Sequence, residues 1–189
     1  MASRPNLTAR AQPSAGRVAV LAGLVAVALL GGFLMTLGWD FLGVGLAAVP
    51  GAAVAAAVVG VRLRGAAALT TLGVCVPFLF AAPAALTVVI VVLACVVAEL
   101  PVAIGGWRVF SIPRAVLAAT LPYLVAAIAA FLDVTIFNIW LGADALDGLV
   151  VVVALIGLVS AAIGAVITAP IVRAVRRRHD HVESTAAQS

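Results

Sequence analysis

Residues Ala84–Thr120 read AALTVVIVVLACVVAELPVAIGGWRVFSIPRAVLAAT. A long apolar run carries one carboxylate, Glu99, and ends at Gly105-Gly106-Trp107-Arg108. A short basic turn is closed by Pro113-Arg114, and a second apolar run begins. At about 20 apolar residues per bilayer crossing, the stretch reads as a membrane helix, a turn on the cytoplasmic side and a returning helix.

The rest of the chain repeats that pattern. Of its 189 residues, 66% are hydrophobic and 10% charged, and the mean hydropathy is +1.31. A soluble domain of that composition lacks the polar groups to cover its surface, so the fold class is all-α integral membrane. Six runs fit: about Arg17–Gly38, Phe41–Val61, Ala66–Phe80, Leu86–Ile104, Ala115–Phe137 and Leu149–Ile171. The second is broken near Val49-Pro50-Gly51, and the third is short and contains Pro77. This divides the chain into a disordered cytoplasmic tail over 1–16, a six-helix transmembrane domain over 17–172 and a basic cytoplasmic tail over 173–189. The first apolar run starts at Val18, is too long for the apolar core of a signal peptide and leads straight into further membrane helices.

Arginine placement orients the bundle. All 11 basic residues are arginines, and they lie before or at the start of the first helix, in the second-to-third turn, in the fourth-to-fifth turn, or after the sixth helix. The other three connections have none. Six helices put those four regions on one side, and the positive-inside rule makes both termini cytoplasmic. A net charge of +4 would suggest nucleic acid in a soluble chain. Here arginines at helix ends set orientation and touch anionic headgroups, so no nucleic-acid partner is expected.

Few groups carry chemistry. Glu99 lies eight residues before Trp107, about 12 Å from the boundary. A carboxylate at that depth must be neutral, paired or turned to a polar interior. It is therefore either a coupling group linked to substrate or an inter-helix hydrogen-bond partner, to Arg108 or to a freed carbonyl. Asp133 lies near the outer boundary with Phe137, Asn138 and Trp140 close by. Trp39, Asp40 and Phe80 reach the same level from other helices. Such a cup suits a small, flat, cationic or hydrogen-bonding ligand. Aromatic-belt residues and solvated helix ends would give the same pattern. Tyr123 lies below the cup or packs. Ala22 and Ala26 have the spacing that lets helices approach closely, within the bundle or against a partner subunit.

Catalysis finds little support. His179 and His181 lie beyond the last apolar run, and neither Ser111 nor Ser160 sits in a nucleophile motif. No glycine loop for phosphate is present. Cys75 and Cys95 lack metal-ligand spacing and read as core packing. No enzyme activity, metal or cofactor is expected.

Two stretches carry a resemblance. Val49-Pro50-Gly51 through Gly60-Val61-Arg62, followed by Gly65-Ala66-Ala67, is similar to the second helix and turn of the thiamine/hydroxymethylpyrimidine branch of the substrate-binding (S) components of energy-coupling factor (ECF) vitamin transporters. Ala98-Glu99-Leu100 through Gly106-Trp107-Arg108, then Ile112-Pro113 and an Ala-rich helix, resembles the "AEL…YRR…LP" stretch of that branch. The chain departs by carrying one arginine, Arg108, where the branch often has a basic pair. The resemblance implies a high-affinity capture subunit of the bacterial plasma membrane. It would bind a vitamin or precursor on the outer face and work with a membrane coupling (T) subunit and two cytoplasmic ATPases. The small-residue face of the first helix, with Ala22 and Ala26, would dock on the coupling subunit. A structural or assembly subunit of a membrane complex is the alternative.

Overall fold

The structure is a computed structural model that describes residues 14–37, 45–81, 85–105, 111–132 and 147–186. Six helices and no strand make up these residues: α1 (Ala15–Leu37), α2 (Ala48–Ala56), α3 (Ala66–Ala81), α4 (Ala85–Ile104), α5 (Ile112–Leu132) and α6 (Asp147–Ala186). The last turn of α2 widens into a π-helical segment, Ala57–Val61. Among the described residues four spans are long and apolar enough to cross a membrane: Ala15–Leu37, Thr87–Ile104, Ile112–Ala129 and Val152–Arg178. This is the pattern of a multi-pass helical membrane protein.

The distribution of large and small side chains is that of a membrane bundle. Exposed positions include Leu30, Phe33, Leu37, Val92, Ile104, Phe131 and Ile171. The fully buried positions are mostly alanines: Ala28, Ala55, Ala57, Ala98, Ala115, Ala118, Ala161, Ala165 and Ala169 have no accessible surface. Lipid tails are as apolar as leucine, so large side chains gain little by turning inward, and small ones let backbones approach. Two crossings depend on this. A side chain on Gly32 of α1 would strike the Val74 carbonyl of α3, and one on Gly73 of α3 would meet the Val25 carbonyl of α1 at 2.9 Å. On the α2–α6 crossing, Gly164 faces the Ala48 carbonyl and Gly51 the Ala161 carbonyl.

Helix boundaries depart from the sequence expectation at three places, the starts of α2 and α5 and the end of α6. The break expected near Pro50 is where α2, as described, begins. Pro50 is the third residue there, and its missing N–H would have had no intrahelical acceptor. The short helices Ala48–Val61 and Ala66–Phe80 have 14 and 15 residues, about 21–23 Å, less than a hydrocarbon core of about 30 Å. Helix α5 starts three residues before the expected Ala115. Helix α6 does not stop near Ile171 but continues to Ala186, carrying Arg173 and Arg176–Arg178 on a 40-residue helix. The residues after Ile171 include good helix formers and no proline or glycine, so nothing ends the helix when the apolar run does.

Arginines gather at one end of the bundle. Leu21, one turn after Arg17, packs with Ala57, Val61 and Ala66 around the α2–α3 turn that holds Arg62 and Arg64. Arg176 of α6 reaches the end of α2, and Arg114 of α5 reaches the end of α4. We call this the basic end.

Candidate functional site

The polar construction begins with a helix that lacks its own cap. Helix α3 is preceded by Leu63-Arg64-Gly65, none of which is Ser, Thr, Asp or Asn, so although the Ala66 N–H reaches the Leu63 carbonyl at 3.2 Å the helix has no local side-chain cap. Glu99 supplies one from α4. Its Oε1 accepts the Gly65 N–H at 2.8 Å and its Oε2 the Ala68 N–H at 3.2 Å. A carboxylate at a helix N-terminus also meets the positive end of the helix dipole. Gly65 has φ +80°, a left-handed conformation that a side chain would strain. Glu99 is therefore an inter-helix partner, and its partners are amide donors rather than a carbonyl. Arg108, the other expected partner, lies outside the described residues.

Two arginines do the converse at helix C-termini. Arg176 Nη1 donates to the Gly60 carbonyl at 2.6 Å and more weakly to that of Val59 at 3.4 Å. These carbonyls belong to the widened π turn, which ends at Arg62 in left-handed conformation, φ 54°. Arg114 Nη1 donates to the Gly105 carbonyl at 2.7 Å, just past the end of α4. Gly105 is needed for that approach, because a Cβ there would collide with the guanidinium. Acid on an N-terminus and arginine on two C-termini is the arrangement helix dipoles favour. Beside it lies a water-sized cavity lined by Val58, Arg62, Ala66, Ala67, Glu99 and Val102.

A second polar level lies deeper. Two side chains set the register: Glu99 pins α4 to the start of α3, and Arg114 pins α5 to the end of α4. Counting about 1.5 Å per residue from those points, Thr71 on α3, Cys95 on α4 and Tyr123 on α5 all fall about 4–7 Å above Glu99, away from the basic end. Cys75 lies one turn further along α3. Both cysteines are free thiols. The hydroxyl oxygens of Thr71 and Tyr123 are buried and have no hydrogen-bond partner.

Of the expected outer cup, Trp39, Asp40, Asp133, Phe137, Asn138 and Trp140 lie outside the described residues. Phe80 is 83% exposed at the far end of α3. Tyr123 sits at the internal level described above. Ala22 and Ala26 are exposed on α1, so the packing of this bundle uses Ala28, Gly31 and Gly32 instead. Among the described residues no cluster of His, Cys, Asp and Glu could hold a metal. Sequence reasoning missed Thr71, Arg114 and Arg176. The missing cap before α3 was the available signal for Glu99, since it is the one acid between Asp40 and Asp133.

No protein-family model matches the chain, and neither the curated proteins nor the solved structures contain a significant match to it.

Proposed function

We propose that this chain is the substrate-capture subunit of an ECF-type importer in a bacterial plasma membrane. It crosses the membrane six times with the basic end and both termini in the cytoplasm. It binds a small vitamin or precursor, thiamine- or hydroxymethylpyrimidine-like, from the outer face and passes it to a coupling subunit driven by two ATPases. The observation that carries this reading is the Glu99 clamp. The two stretches that resemble the thiamine/hydroxymethylpyrimidine branch are distant in sequence, yet Glu99 of one accepts the Gly65 N–H of the other. A pair of motifs that assemble into one unit is better support than either motif alone.

The exposed face of α1 favours a second reading, a structural or assembly subunit that uses Ala22 and Ala26 against another membrane protein. Titration of the purified protein with thiamine and with hydroxymethylpyrimidine, followed by tryptophan fluorescence and calorimetry, separates the two. Saturable binding that weakens in Asp133→Ala supports capture. No binding of either compound leaves assembly as the reading. Co-purification with an ATPase module that survives Ala22→Leu and Ala26→Leu would remove α1 as the docking face.

A further inference from the structure

We propose that Thr71 and Tyr123 form an uncharged hydrogen-bonding step inside the bundle that receives the neutral polar end of the captured ligand. This inference rests on the capture reading and specifies the chemistry at the inner limit of its site.

The behaviour of the other threonines makes Thr71 informative. In an apolar helix the nearest acceptor for a threonine hydroxyl is a carbonyl one turn back. Thr70 donates to Ala66 at 2.8 Å, Thr120 to Val116 at 2.9 Å and Thr36 to Phe33 at 2.7 Å. Thr71, adjacent to Thr70 and 2% exposed, makes no such bond. Tyr123 is the second case: its hydroxyl oxygen is buried without a partner. A buried polar group left unpaired costs free energy comparable to a lost hydrogen bond. Two of them at one level, on helices that pack together, mark a place whose polar partner comes from outside the chain.

The surroundings define the chemical class. Each hydroxyl both donates and accepts. Thr70 beside Thr71 spends its hydroxyl on the Ala66 carbonyl, and the nearest described charge on α4, Glu99, is committed to two N–H groups about a turn away. A cationic ring would lose its hydration there without a counter-charge. The step therefore suits an uncharged group bearing a hydroxyl, an amine or a ring nitrogen, such as an aminopyrimidine. A cationic portion would remain nearer the outer carboxylates.

The test uses the full-length protein in nanodiscs with hydroxymethylpyrimidine and thiamine as probes. Tyr123→Phe and Thr71→Val each delete one hydroxyl and keep the shape. Each is expected to weaken hydroxymethylpyrimidine binding on the order of tenfold. The unfolding midpoint of the ligand-free protein should stay unchanged or rise, because an unpaired group has been removed. Wild-type binding with unaltered affinity in both variants overturns the inference and leaves the capture reading standing. A midpoint lowered by several degrees overturns it as well, because the hydroxyls would then be partnered within the fold. If the wild type binds neither probe, the capture reading falls and the inference with it.

Discussion

At the basic end, a carboxylate and two arginines each bond the main chain of a neighbouring helix, whereas one turn deeper two hydroxyls are buried with nothing to bond. Both places put polar atoms where lipid would otherwise exclude them. The first uses each of its three charged side chains to hold helices together: Glu99 starts α3, Arg176 ends α2 and Arg114 ends α4. The second leaves its groups uncommitted. The difference separates a structural clamp from a surface available to a guest, and it makes opposite predictions for mutation.

The strongest way to break the comparison is to disrupt the packing on which both places rest. Gly164→Val drives a side chain into the Ala48 carbonyl of α2. Backbone cannot yield as a side chain would, so a loss of about 3 kcal/mol or more is expected. Reversible unfolding in mixed micelles measures it. Glu99→Ala comes next, at about 2–4 kcal/mol, since two donors at the start of α3 lose a charged acceptor. Glu99→Gln, which keeps one acceptor oxygen, should recover about half of that. A Glu99→Ala variant that unfolds like the wild type would show that the clamp holds nothing. Arg176→Ala should cost about 1–2 kcal/mol, and hydrogen exchange should rise at the end of α2 before it rises elsewhere. Smallest in stability are Tyr123→Phe and Thr71→Val, within about 0.5 kcal/mol of the wild type or above it. A clear loss in either would erase the contrast between the two places.

Much of this was legible in the residues, and the failures have physical causes. Composition and run length anticipated an all-helical membrane architecture, of which four described helices are long enough to cross a bilayer, and arginine positions anticipated that the described basic groups share one end. Glu99 was identifiable as a group needing a partner, because a lone acid in an apolar run cannot stand uncompensated. Its partner was harder to see. The N–H groups of Gly65 and Ala68 carry no side-chain signal, and only the absence of a capping residue before α3 pointed to them. The end of α6 was misplaced because loss of hydropathy is not a helix stop. Thr71 passed unnoticed beside Thr70, since two adjacent threonines differ only in the direction they face.

The sequence by itself determined the solvent of this protein, its all-helical character and the grouping of its described arginines. These follow from local properties, namely the apolar content of a run and the cost of carrying charge through lipid. Tertiary structure alone decided which polar atoms are used and which are left over. That depends on the crossing of glycine- and alanine-faced helices, which sets the register of α3, α4 and α5 to within a fraction of a turn. A hydrogen bond tolerates errors of only a few tenths of an ångström, far finer than any periodicity in the chain can specify.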